Sequence, residues 1–286
     1  MKLTNLLCCT TRSIKLSEDV VSAPPRTNGE RSTASLESST SKAKSAAPKP
    51  SPSDPYTPAR AMELFSLYAD ADDPDVIGPE GFERLCNDAD IPLEGAMPLI
   101  LAWLVKGDEM AKITRREWET GMGELQIASP AALSIALQDF NDLLLSNKLP
   151  LKPPTSSPDK RKKLAPEPYN RARYYRCAGD RRKTFAELYQ FCFVLAKPPQ
   201  ARLIDMETGS AFWSVLLVPQ YPIMQEILDF ISEKGTYRGV NKDLWSMVLE
   251  FCRTVSLDLH DYEVDGAWPT LLDEFVTWKK SKSTET

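Results

Sequence analysis

The chain has 286 residues, 42% of them apolar, enough to bury one large core or two small ones. No stretch approaches the roughly 18 consecutive apolar residues of a membrane span, so no integral membrane segment is expected. The formal net charge of −5 is too mild to select a partner. Its distribution is uneven, with basic residues crowded between Lys160 and Lys183 and acidic ones dominating from Asp258 to Glu274.

From about Thr10 to Ser53 the chain is rich in Ser, Thr, Pro and Lys and poor in aromatic residues. Such a segment buries too little apolar surface to offset chain entropy, so residues 1–54 read as a disordered tail. Leu6-Leu7-Cys8-Cys9 is too short for a signal-peptide core, and Lys2 excludes N-myristoylation, which leaves lipidation of Cys8 or Cys9 open. Helical punctuation then becomes frequent. Thr57-Pro58 opens a helix carrying Met62, Phe65 and Tyr68, and Pro79 opens another with Phe82, Leu85 and Cys86. Met97, Ile100, Leu101 and Leu104 mark a third, Thr114-x-x-Glu117 caps a fourth, and Ser129-Pro130 opens a fifth with Leu133, Leu137, Phe140 and Leu144 on one face.

Between Ser146 and Lys183 the pattern breaks into Pro-Pro, Ser-Ser-Pro and Lys160-Arg161-Lys162-Lys163. It reads as a basic, Pro-rich, solvated surface insertion near 147–183. Tyr169, Tyr174 and Tyr175 are its only stacking platforms and no binding motif accompanies them, so nucleic acid is not an expected partner. Thr184-x-x-Glu187 reads as the capping box of a helix with Tyr189, Phe191 and Phe193. Further helices are expected near Met206–Leu217, Pro222–Glu233, Asn241–Arg253 and Pro269–Lys280. Period-two alternation is scarce, which predicts an all-α fold with at most tiny strands in its loops.

Two acidic loops invite comparison with calcium sites. Counted from Asp70, alternate carboxylates and an Ile at the eighth place fit an EF-hand loop, but Pro74, Asp75 and Gly81 occupy places that need a ligand, a turn glycine and a bidentate Glu. Counted from Asp261, Asp261, Glu263, Asp265 and Gly266 fit, yet Leu272 stands twelfth. Both read as EF-hand-like turns without dependable calcium affinity, and no metal or other cofactor is expected. The alternative function from this reading is a calcium-responsive EF-hand-like adaptor. Six cysteines with no C-x-x-C pair, and His260 as the only histidine, give neither a zinc set nor a nucleophile with a local base. Cys86, Cys192 and Cys252 sit among apolar residues, as core thiols do. No catalytic residue is assigned, and a reducing compartment, cytoplasmic and/or nuclear, fits the cysteine usage.

The segment from Asp261 through Gly266-Ala267-Trp268-Pro269-Thr270-Leu271-Leu272-Asp273-Glu274-Phe275, preceded by Asp243-Leu244-Trp245, resembles the end of the PONY domain of the defective-in-cullin-neddylation family. Upstream blocks follow in the family's order: Ile77-Gly78-Pro79-Glu80-Gly81-Phe82, Leu101-Ala102-Trp103, Thr114 to Gly121, Leu188 to Phe193, and Ala211-Phe212-Trp213. The resemblance implies a PONY domain of paired EF-hand-like helix-loop-helix units over residues 55–282, without the ubiquitin-binding three-helix domain of some relatives. It also implies a scaffold-type accessory ligase with no covalent intermediate, which promotes cullin neddylation by holding two partners together. Asp243, Ala267 and Asp273 would bind the cullin C-terminal domain. Pro98, Leu101, Ala102, Val105, Ala111, Ile113, Leu195, Phe212 and Val215 would form the pocket for the N-acetylated methionine of the neddylation conjugating enzyme. A RING subunit of the cullin ligase is a further implied partner.

Overall fold

In the computed structural model, residues 55–153 and 167–284 are described. The expected tail at 1–54 and the Lys160–Lys163 run lie outside them. Within the described residues the chain is all-α, eleven helices joined by four strands of two or three residues.

The N-terminal half is built from α1 (Pro58–Tyr68), α2 (Pro79–Asp88), α3 (Met97–Val105), α4 (Arg115–Leu125) and α5 (Pro130–Leu144). The side chains of Thr57 and Ser129 accept from backbone amides three residues on, and Thr114 and Glu117 form a complete capping box, as their spacing predicts. Between α1 and α2, β1 (Val76–Ile77) pairs antiparallel with β2 (Ile113–Thr114) between α3 and α4. Ile77 opposite Ile113 places the eighth residues of two EF-hand-like loops side by side. Trp118 closes this half: it is fully buried, and its indole N–H donates to the Ala61 carbonyl of α1 at 2.8 Å.

The C-terminal half repeats the plan with α7 (Arg181–Ala196), α8 (Met206–Leu216), α9 (Pro222–Lys234) and α10 (Lys242–Thr254), followed by α11 (Thr270–Thr284). Here β3 (Leu203–Asp205) pairs with β4 (Gly239–Asn241), with Ile204 opposite Val240. The inner faces meet in an aromatic stack, Tyr189 on Trp245 at 4.4 Å and Trp213 on Trp245 at 5.6 Å. The Tyr189 hydroxyl donates to Trp245 O at 2.8 Å and accepts from Trp213 Nε1 at 2.7 Å, while Trp245 Nε1 donates to Tyr189 O. All the polar atoms of this stack are thereby satisfied, as burial requires.

Helix α3 joins the halves. Eight of its nine residues are buried, which suits a helix apolar on every side, and it packs against α4, α5 and α7. Its carbonyl end is held by Arg173, which donates to Leu104 O at 2.8 Å, lies over the Trp103 ring at 4.7 Å and pairs with Glu124. Arg173 belongs to α6 (Ala172–Gly179), a helix the sequence reading did not expect. Part of the insertion expected to be solvated is therefore structural: Tyr169, Arg173 and Tyr174 are buried, because a cation capping a helix C-terminus and aromatics packing on Phe140 draw the segment inward.

Two further expectations are corrected. Helix α7 starts at Arg181 with Asp180 as its cap, accepting from Lys183 N at 3.0 Å; Thr184 lies inside the helix and its hydroxyl bonds back to Asp180 O. The carboxylate four residues earlier outcompetes the Thr184 box. The loop from Asp261 to Leu272 is not EF-hand-like either: no strand falls in it, and it simply connects α10 to α11. The EF-hand-like loops are those ending in the four paired strands.

Candidate protein-docking site

Asp243 and Asp273 each fall in the first turn of a helix, α10 and α11, where the dipole favours a carboxylate. Asn241 caps α10 by accepting from Leu244 N at 2.7 Å, which leaves Asp243 exposed at the helix mouth. Asp273 is half-buried and accepts from the Tyr262 hydroxyl at 2.6 Å. Ala267 is exposed in the turn that precedes α11. Among the described residues neither aspartate has a Lys or Arg within ion-pair distance. Two acceptor groups without cations therefore face outward.

The scaffold under them is aromatic. Phe251 of α10 meets Trp268 edge-on at 5.2 Å and Phe275 of α11 at 6.1 Å, and Tyr237, just before β4, donates to Glu274 near the start of α11. The entry to α10 is thus tied to the start of α11. Lys280 lies over the Tyr262 ring at 5.5 Å. Tyr262 was not singled out from sequence; its place eleven residues before Asp273, across a turn, gives no periodic signal. Burial and the Asp273 carboxylate push its hydroxyl up to about 12, so it stays a donor at neutral pH.

The nine apolar residues assigned to a methionine pocket are distributed differently from an open cleft. Pro98, Leu101, Ala102 and Val105 lie on α3, Ala111 and Ile113 in and before β2, Leu195 on α7, and Phe212 and Val215 on α8. All are buried except half-buried Val215. The helices that carry them pack in sequence, α3 on α7 and α7 on α8. Val105 lines a cavity of about 640 Å³ whose other walls are polar: Lys106, Asp108, Lys112, Glu117 and their neighbours.

The same geometry bears on calcium. In the loop between α1 and α2, Asp70 accepts from Gly78 N at 3.1 Å, Asp73 accepts from Asp75 N at 3.1 Å, and Asp75 is paired with Arg115. Each of these carboxylates is thus already engaged by a protein donor. In the next loop Lys106 stands in the left-handed region where the first ligand would be, and Glu117 spends both oxygens on the backbone amides of Asp108 and Thr114. Among the described residues no group of three or more His, Cys, Asp or Glu is arranged to hold a metal ion.

Among the described residues the thiols are equally unsuited to attack. Cys86, Cys177, Cys192 and Cys252 are buried and unpaired, and burial pushes Cys86 and Cys252 up to about 12 and Cys192 higher still. A thiol so raised carries almost no thiolate near neutrality.

The described residues thus combine two first-turn carboxylates with buried thiols on a helical module. Residues 170–278 match the family model described as Cullin binding, a span that includes Asp243, Ala267 and Asp273. The chain is 33% identical over 227 residues to DCN1-like protein 4 of Danio rerio, covering 79% of this chain and 68% of that protein. It is 31% identical over 229 residues to DCN1-like protein 5 of Homo sapiens, covering 80% and 81%, and 29% identical over 225 residues to DCN1-like protein 4 of Drosophila melanogaster, covering 79% and 76%. The chain belongs to the DCN1-like, defective-in-cullin-neddylation family, and this membership with its cullin-binding domain supports a role in the cullin neddylation pathway.

Proposed function

We propose that this protein is a non-covalent, scaffold-type accessory ligase that binds a cullin and the N-acetylated neddylation conjugating enzyme together. The observation that carries the reading is the pair Asp243 and Asp273, without cationic partners among the described residues and set at two adjoining helix starts beside exposed Ala267. A basic side chain of the cullin C-terminal domain would supply the missing cation, and the small Ala267 side chain would let its backbone approach. Removing a carboxylate whose partner is desolvated at an interface costs about 2–5 kcal/mol, against about 0.2–1 kcal/mol for an exposed pair.

The conjugating enzyme's acetylated methionine would enter among Leu101, Ala102, Val105, Ile113, Leu195 and Phe212. Acetylation suits such a lining because a free ammonium there would be buried without a partner. These side chains fill the space in the present structure, so entry would move them, with half-buried Val215 at the margin. With both partners held, the reaction gains from proximity and orientation and needs no nucleophile from this chain.

The test is binding of the whole chain to the cullin C-terminal domain and, separately, to acetylated and unacetylated N-terminal peptides of the conjugating enzyme. Asp243→Ala combined with Asp273→Arg is expected to abolish cullin binding with the circular dichroism spectrum unchanged, and the peptide is expected to bind only when acetylated. A folded double mutant with full cullin affinity would overturn the docking assignment.

A further inference from the structure

A second feature lies away from the acidic face, where the end of α5, the start of α7, the turn between α8 and α9 and the end of α10 enclose a cavity of about 250 Å³. Arg181, Arg182 and Arg253 line it, with Gln220 and Tyr221, over a buried apolar floor that includes Leu144 and Phe185. No carboxylate is among its walls.

Three details show that this charge is uncompensated. First, none of the three arginines has a carboxylate within ion-pair distance among the described residues. Their bonds go to neutral acceptors: Arg181 to Leu143 O at 2.9 Å and Asn147 Oδ1 at 3.2 Å, and Arg253 to Arg182 O at 3.0 Å. Secondly, two buried donors on lining residues, Arg253 Nε and Gln220 Nε2, have no acceptor among the described residues. A buried donor left unmade is costly, so two of them beside three unpaired guanidinium groups call for an acceptor at this place. Thirdly, Arg181, Arg182 and Lys183 fill the first turn of α7, the positive end of the helix dipole, with only the Asp180 cap to offset them. Cations there are unfavourable unless an anion shares the site.

We propose that this cavity binds a phosphate group, either as the free anion or as a monoester on a protein side chain. The dianionic charge of phosphate meets three guanidinium groups, whose planar donor forks suit its oxygens, and the Phe185 and Tyr221 wall leaves apolar space for the ester's carbon side.

Calorimetric titration of the full chain with inorganic phosphate, at ionic strength fixed by chloride, tests this directly. Saturable binding is expected, weakened about tenfold or more by Arg182→Gln, whose exposed side chain makes it a safe substitution for folding, and unaffected by Arg202→Gln on another exposed surface. Arg253→Gln should behave as Arg182→Gln does where it folds. Absence of saturable binding, or equal loss in Arg182→Gln and Arg202→Gln, overturns the site. A short phosphoserine peptide binding more tightly than inorganic phosphate would identify a modified protein as the source, whereas equal or weaker binding would identify the free anion.

Discussion

Tyr262 holds Asp273 at 2.6 Å, so one carboxylate oxygen is fixed while the other remains for a partner. Tyr262→Phe should leave the fold intact and weaken cullin binding about fivefold, the effect of losing roughly 1 kcal/mol of orienting hydrogen bond. Deeper in, Tyr189→Phe strands the Trp213 indole N–H and removes the donor to Trp245 O, and should lower unfolding free energy by about 1–3 kcal/mol in urea titrations. The buried thiols set an alkaline limit. Cys86 and Cys252 are raised from 9.0 to about 12, so the folded chain keeps protons that the unfolded chain releases. Their contribution is whole below pH 9 and is lost as pH rises from there toward 12, so the urea midpoint should fall from pH 9 to pH 10.5. Alkylation of these peptides by iodoacetamide at pH 8 should be slow until the chain is denatured.

At the scale of the element, close packing between helices depends on residues without side chains. A Cβ on Gly121 of α4 would meet Val105 Cα at 2.8 Å, and one on Gly81 of α2 would meet Tyr68 O at 2.0 Å. Gly121→Ala and Gly81→Ala should each cost about 1–3 kcal/mol or more, read as a lowered Tm. Because protein donors and Lys106 occupy the EF-hand-like loops, millimolar calcium should leave Tm unchanged; a clear rise would revive the calcium-adaptor reading. Helices begun by Pro or by Thr, Ser and Asn caps were legible in the sequence, since those signals are local. Helix α6 was not, because Arg173 and Tyr174 sit in a Pro-rich basic context and only the carbonyl end of α3 gives them a burial partner. The loops before β2 and β3 also escaped notice, for they begin with lysine and lack alternate carboxylates; only Ile113 and Ile204 mark them. Of the candidate sites, the first-turn placement of Asp243 and Asp273 was readable, whereas the depth of the nine apolar residues depends on packing between helices distant in sequence.

Across the whole molecule, two EF-hand-like halves share α3, which packs on α4 and α5 of one half and α7 of the other. That shared core places the acidic face in the C-terminal half, on α10 and α11, while most of the apolar residues assigned to the methionine lie in or beside α3. The docking of two partners would therefore draw on both halves, and a fragment starting at residue 170, although it spans the matched cullin-binding region, would expose the face of α7 that α3 covers. Such a fragment should show a lower Tm than the intact chain and bind hydrophobic dye.

Of six tryptophans, Trp103, Trp118, Trp213 and Trp245 are buried, whereas Trp268 and Trp278 are half-buried. Trp268 adjoins Ala267, meets the Phe251 ring edge-on, and has an indole N–H with no acceptor among the described residues. The acidic face therefore carries its own optical reporter. A partner settling over Ala267 would change the polarity around this indole against the background of the other five, so association at this face would become visible in emission wavelength without any attached dye.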